Sequence, residues 1–459
     1  MSSKSPRRAL RRSLALSAAA GVLAVGSAAP AAAQGAPQPP PLTGAQPEHG
    51  PLSPKPAQQQ QACMEPSSGP NIERKPWSQR SLGYEQAHQQ GWDGSGEKVA
   101  VIDTGVNEHP ELSGRVQDGG SSIPGGATTD CDGHGTLVAG FVAADGSLPN
   151  TGFVGVAPKA QLLSIRQSSS HYQVGGKPVG DTDTLAQAIQ YAVDQHSDVI
   201  NISQASCQDV AQASNPDNGG NQRLHTAVEN AKRAGSVVVA AAGNSDECKQ
   251  NNPGSPTTAV LPAWFDEDVL TVGSVDQQGG ASPFTVAGPW VDVAAPGQDL
   301  IGLDPGQRGR GLASQIPTGQ GQQQGPIQGT SFSTPYVSGL VALLKQKYGN
   351  KLDADQIMDR IKRTAIHPGG DNGRNDVVGY GTVDVMAALD NVVPSEHGKQ
   401  VAAAHRRPLG ADEFPHRNWP ALAVAFGGAG IGIAAVLFTA FMVHAVRNLR
   451  ARKRSEDGI

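Results

Sequence analysis

Aromatic residues make up only 4% of this 459-residue chain, and charged residues 17%. A core built around large rings is therefore excluded. With 57 glycines, the chain suits an α/β core of small aliphatic side chains with many loops. The formal net charge is −5, so no basic surplus exists to neutralise phosphates, and a nucleic-acid partner is not expected. There are 12 histidines, but they are scattered and only His134 sits in a motif. No metal-ligand spacing stands out, so neither a metal nor a cofactor is expected. Cysteines number four: Cys63, Cys131, Cys207 and Cys248.

Three short motifs carry chemistry. In Gly329-Thr330-Ser331-Phe332-Ser333-Thr334-Pro335, Ser331 opens a helix whose apolar side is Val337, Leu340, Val341 and Leu344. Free N–H groups at a helix start favour a developing negative charge. Pro335 is expected in the first turn, where its missing N–H is no loss. Upstream, residues 99–102 read as a buried strand ending at Asp103, just before Gly105. His134 lies between Gly133 and Gly135 and precedes a helical run of small residues. An aspartate, a histidine and a serine thus each lie at the glycine-marked end of an element, in the order Asp, His, Ser.

Asp103-Thr104-Gly105, His134-Gly135-Thr136 and Gly329-Thr330-Ser331 resemble the three signatures of the subtilisin-like serine proteases. Val154-Gly155-Val156-Ala157-Pro158, Asn201-Ile202-Ser203 and Gly379-Tyr380-Gly381-Thr382-Val383-Asp384 extend the likeness over roughly residues 76–392. The resemblance implies acyl transfer to Ser331, with His134 as general base and acid and Asp103 as its orienting partner. It also implies that Asn244, after the apolar run 236–242, is an oxyanion-hole donor. Gln204, Ala205 and Ser206 are expected to line the pocket for the residue before the scissile bond.

Strand and helix patterns alternate through the middle: strands at 161–165, 199–202, 236–242 and 269–275, helices at 185–193 and 224–234. A mainly parallel sheet with helices on both faces is expected. Segments 168–183 and 304–325 read as inserted loops. An even cysteine count behind an export signal implies disulfides, with three possible connectivities. Cys207 and Cys248 each follow a strand of the parallel sheet, and consecutive parallel strands tend to be neighbours. This pairs Cys207 with Cys248 and leaves Cys63 with Cys131.

The ends address the membrane. Arg7, Arg8, Arg11 and Arg12 precede an apolar stretch and Ala31-Ala32-Ala33, so residues 1–33 read as a signal peptide. Residues 34–75, rich in Pro and Gln, read as an extended arm unable to form an autoinhibitory domain. The peptidase domain is set at 76–392 and a Pro-containing linker at 393–420. A transmembrane helix is expected over 421–446, containing 23 consecutive residues without a charge at 421–443. Such a stretch spans roughly 34 Å against a hydrocarbon core of ~30 Å. Residues 447–459, with Arg447, Arg450, Arg452, Lys453 and Arg454, form a cytoplasmic tail. The whole series resembles the mycosins, membrane-anchored subtilisin-like proteases of actinobacterial type VII (ESX) secretion systems. That resemblance implies a polypeptide substrate and association with a secretion membrane complex in the lipid bilayer. A general cell-envelope protease and a scaffold with dispensable catalysis are the rival readings.

Overall fold

Short runs, rich in Val and Ile in the four central strands, build a parallel sheet of seven strands. In chain order these are β1 (Lys98–Asp103), β2 (Val116–Ser121), β3 (Gln161–Arg166), β4 (Val199–Ile202), β5 (Val237–Ala241), β6 (Val269–Val275) and β7 (Val293–Pro296). Across the sheet they run β7-β6-β5-β4-β1-β3-β2. The chain is represented by a computed structural model that describes residues 37–67, 72, 74–317, 323–369, 373–397, 432–448 and 450.

Alternation along β1 shows how the sheet separates two cores. Val99 and Val101 face one side, with the helices α1 (His134–Ala143) and α4 (Thr330–Tyr348). Ala100 and Ile102 face the other, with α2 (Thr182–Asp194) and α3 (Gly219–Arg233). Side chains of successive strand residues point to opposite faces, so a sheet covered on both sides must be apolar throughout. All four residues of β4 and all seven of β6 are buried. The expected helices at 185–193 and 224–234 are longer in the fold because polar caps extend them. Asp181 accepts from the Thr184 amide at the start of α2, and Asn218 from the Asn221 amide at the start of α3.

Strand order reverses beside β1, which lies between β3 and β4. In open α/β sheets such a switch point opens a crevice at the carboxyl ends of the strands. Asp103 is the last residue of β1 and sits at that crevice.

The two segments expected to be loops contain hairpins. Ser169–Val174 pairs antiparallel with Lys177–Val179 through Gly175 and Gly176, both with positive φ. Gln315–Pro317 pairs with Gln324–Pro326. Their polar side chains carry no apolar alternation, so the backbone pairing left little trace in the sequence. Pro335 also differs from expectation. It is the sixth residue of α4, beyond the first turn, so it removes the amide that would bond the Ser331 carbonyl.

The described part of the arm lies along the domain. The Thr43 amide and hydroxyl both donate to Gln222 Oε1, at 2.9 and 3.2 Å. Leu52 bridges Gly120 and is buried. Gln58 and Gln59 add a strand to Ser169–Val174. Cys63 is disulfide-bonded to Cys131, and Cys207 to Cys248.

By contact the chain divides into Met1–His397 and Gly398–Ile459. In the second unit residues 432–448 are helical, with Ile433, Val436, Leu437, Phe438 and Phe441 exposed. Among the described residues no helix is long and apolar enough to cross a membrane. Residues 1–33, 421–431 and 451–459, where the signal peptide, the start of the expected span and most of the basic tail fall, lie outside the described residues.

Candidate active site

Asp103 is fully buried, and its Oδ1 accepts from His134 Nδ1 at 2.7 Å and from the Thr104 amide at 2.8 Å. His134 is the first residue of α1, and its side chain keeps 23% of its surface exposed. Gly135 permits this approach. A Cβ there would lie 2.1 Å from the Gly105 carbonyl oxygen and 3.1 Å from Asp103 Cβ. The glycine is thus required for helix and strand to come close enough for one hydrogen bond.

Burial pushes the His134 imidazole down, but the negative charge and hydrogen bond of Asp103, with Asp130 and Glu247 beyond, outweigh it. The imidazole is held up at about 9. Phe332 packs beside it, with ring centroids 4.9 Å apart. Gln204 brings its side-chain amide to 3.3 Å from His134 Nδ1.

Ser331 is the second residue of α4 and 7% exposed. Gly329 precedes it with φ 145°, a conformation L side chains rarely adopt. A Cβ on Gly329 would lie 2.9 Å from Ser331 Oγ and 3.4 Å from Asn244 Nδ2. The hydroxyl and the amide nitrogen therefore flank one point on the backbone.

Asn244 follows β5 and Gly243. Its Oδ1 accepts from the Thr330 amide and the Thr330 hydroxyl, both at 3.0 Å. A backbone N–H can only donate, so the oxygen of Asn244 faces Thr330 and its NH₂ faces away. His134, Asn244 and Ser331 line one cleft of about 1360 Å³, with Asp103 behind His134.

Of the three residues expected to line the substrate pocket, Gln204 lines this cleft beside Ser203, while Ala205 and Ser206 are not among its lining residues. Ala205 packs against the core on the α2 and α3 side. Ser206 begins a strand paired antiparallel with Thr258–Leu261, which carries the chain away from the cleft. The Cys63–Cys131 pairing brings the arm to the rim of the cleft, where Cys63 to Ser67 form one wall. Glu247, on the segment that follows Asn244, also lines the cleft and carried no motif in the sequence. Asp130 was also missed, although it stands four residues before His134 in Asp130-Cys131-Asp132-Gly133-His134. It is fully buried and accepts from Thr104, Gly133 and Thr136. Burial raises its carboxyl to about 6 against the lowering effect of those hydrogen bonds.

Residues 94–381 match the model of the subtilase family, peptidase S8. Mycosin-4 of Mycobacterium tuberculosis is 40% identical over 432 residues, covering 89% of this chain and 90% of the relative. Mycosin-1 of Mycolicibacterium smegmatis is 37% identical, covering 83% of this chain and 87% of the relative. Among solved structures, the MycP3 protease from the type VII (ESX-3) secretion system superposes with a TM-score of 0.69 at 34% identity. That match covers 77% of this chain and all of the other. A chain in an intact ESX-5 inner membrane complex gives 0.70 at 36% identity, covering 88% of this chain and 99% of its own length. Motif order, sheet topology, cleft geometry and this breadth of similarity agree: the chain belongs to the subtilase family of serine endopeptidases and, within it, to the mycosins.

Proposed function

We propose that Ser331 is the nucleophile of this endopeptidase, His134 its general base and acid, Asp103 the orienting carboxylate and Asn244 an oxyanion donor. The observation that carries the assignment is the 2.7 Å hydrogen bond from His134 Nδ1 to buried Asp103, in the cleft that Ser331 lines. With Nδ1–H committed to Asp103, His134 Nε2 takes the Ser331 proton as Oγ attacks the scissile carbonyl. The tetrahedral oxyanion is held by Asn244 Nδ2 and the Ser331 amide. A donor of this kind lowers the barrier by about 2.7–4 kcal/mol. His134 then protonates the leaving amine, and water hydrolyses the ester on Ser331 by the reverse proton path. A fluorophosphonate probe should label the wild-type protein and not Ser331→Ala; equal labelling of both would refute the assignment.

The arm acts as a wall of the cleft. With residues 61–67 among its lining the cleft measures about 1360 Å³, and His134 and Ser331 both line it. Protein that keeps its arm should therefore react with the probe; a strict need to remove the arm would refute this.

The setting is the outer side of the cytoplasmic membrane, with residues 421–446 as the anchor and 447–459 inside. The uncharged run 421–443 and the basic cluster after it support that orientation. Carbonate extraction should leave the full chain in the membrane and release a chain ending at 397. Association with a type VII secretion complex is supported by the likeness to chains in the ESX-5 inner membrane complex and its periplasmic assembly. The same likeness favours a second reading, in which the domain also stabilises such an assembly. Secretion that survives Ser331→Ala but fails on deletion of the whole protein would establish the scaffold role. Terminal sequencing of secreted proteins from the two strains would identify the substrate.

A further inference from the structure

We propose that Asp130 is a positioning residue for His134, coupling the end of β1 to the start of α1 so that the imidazole meets Asp103 and Ser331 in register. Four donors converge on its carboxylate. Oδ1 accepts from the Gly133 amide at 2.7 Å and the Thr104 hydroxyl at 2.9 Å. Oδ2 accepts from the Thr136 amide at 2.8 Å and the Thr136 hydroxyl at 2.7 Å. Gly133 and Thr136 bracket His134 on one segment, and Thr104 directly follows Asp103 on the other. Asp130 itself is held in place, since its amide donates to Asn107 Oδ1 and its carbonyl accepts from Asn107 Nδ2.

Thr104 links the two carboxylates. Its amide donates to Asp103, its hydroxyl donates to Asp130, and the same hydroxyl oxygen accepts from the Gly135 amide at 3.0 Å. The hydroxyl has one proton, so spending it on Asp130 aims its lone pair at Gly135. The residues on both sides of His134 are thus tied, through Asp130 and Thr104, to the residue that follows Asp103. Only a carboxylate accepts on both sides. An asparagine offers one acceptor oxygen, and on either side its NH₂ would confront a backbone N–H, that of Gly133 or of Thr136, in a site with no exposure. Asp130 also acts on His134 by charge. The groups that raise the imidazole are Asp103 at the end of β1, Asp130 before α1 and Glu247 on the segment after β5, while Asp103 is the charge that raises Asp130.

This inference rests on the roles given above to His134 and Ser331. The test is the rate of labelling of the full-length protein by a fluorophosphonate probe across pH. In that reaction Ser331 Oγ forms the bond to phosphorus, fluoride leaves and His134 takes the proton. Displacing the imidazole by about 1 Å is expected to slow such a step on the order of 100-fold. Asp130→Asn should therefore lower the alkaline plateau substantially and, having lost a negative charge, move the midpoint to lower pH. A merely structural role would lower the melting temperature and leave the midpoint where it was. A folded Asp130→Asn with wild-type plateau and midpoint, or with a wild-type midpoint and lost stability alone, overturns the proposal. If Asp130→Asn does not fold, Thr104→Val decides: a reduced plateau that Thr104→Ser restores supports the coupling, and a wild-type plateau in Thr104→Val refutes it. Failure of the underlying assignment looks different, because then His134→Ala would be labelled as fast as wild type.

Discussion

Thr330 holds Asn244 by two hydrogen bonds to one oxygen, from its amide and its hydroxyl, each at 3.0 Å. The residue before the proposed nucleophile thus sets the direction of the proposed oxyanion donor. Asn244→Ala should lower kcat about 10²–10³-fold, the range found on removing such a donor from a subtilisin, with KM little changed. Thr330→Val keeps the shape and the amide bond but loses the hydroxyl bond to Asn244, and it takes from the buried Gly243 amide the acceptor it donates to at 3.2 Å. Loss of the bond to Asn244, roughly 0.5–1.5 kcal/mol, should lower kcat by a smaller factor, about 2–10-fold, and the Gly243 amide left without its acceptor should cost about 1–3 kcal/mol of stability. Peptide-hydrolysis kinetics of both variants check this. A Thr330→Val loss as large as that of Asn244→Ala would mean the threonine does more than aim the amide.

The pH dependence follows from His134. Its imidazole is held up at about 9, above the ordinary 6.5, and as the proposed general base it must be neutral to accept the proton of Ser331. Hence kcat/KM should climb from neutral pH and level off only beyond about pH 9. Stability runs the other way. A group whose folded value is raised stabilises fully below its unfolded value and loses that contribution as pH rises through the folded value. The His134–Asp103 pair should therefore lose stabilising effect between about pH 6.5 and 9. In Asp103→Asn the rate midpoint should move down and kcat should fall about 10⁴-fold, as expected when the imidazole loses its orienting carboxylate. A midpoint unchanged in that variant would contradict the charge argument.

Gly135→Ala should be among the most damaging single substitutions in the domain. Its methyl group would have to displace the Gly105 backbone oxygen or push α1 away from β1. A loss of stability above about 4 kcal/mol, or no folded protein, is expected for such overpacking against rigid backbone. Gly235→Ala serves as the control, because a Cβ there meets nothing within 4 Å. It sits at φ 88°, so it should cost only the backbone strain, roughly 1–2 kcal/mol. Chemical denaturation of the two variants gives the comparison.

The Cys63–Cys131 bridge closes a separation of 68 residues, and Cys207–Cys248 one of 41. Each should contribute about 2–4 kcal/mol by restricting the unfolded chain. Their functional consequences should differ. Cys63→Ala/Cys131→Ala frees the arm near the His134 segment, where the Met64 amide still donates to the Cys131 carbonyl at 2.9 Å. Limited proteolysis should then cut between residues 60 and 67 while probe labelling of Ser331 persists. Cys207→Ala/Cys248→Ala loosens the segment carrying Asn244 and should lower kcat. Wild-type kinetics in Cys207→Ala/Cys248→Ala would show that this bridge does not support the site.

Parts whose signals are local were legible in the order of residues alone. A strand that ends in Asp103, a histidine between glycines, and Gly329 before Ser331 are each constrained by backbone geometry within a few residues, so residue types at short spacing report them. Apolar runs buried on both faces mark β1, β4, β5 and β6 for the same reason. Tertiary structure alone decided relations between distant segments. The Asn244 amide has a direction only because Thr330, 86 positions away, supplies two donors to its oxygen. Asp130 is legible as a buried acceptor only once Thr104 and Thr136 converge on it, and the polar hairpins pair through backbone groups that every residue possesses. Ala205 and Ser206 leave the cleft because the chain turns to pair with Leu261 and Val260, a partner choice made by sheet assembly and not by the tripeptide. Hydrogen-bond direction and strand pairing depend on which groups meet in space, and that is settled only when the two apolar faces of the sheet are covered.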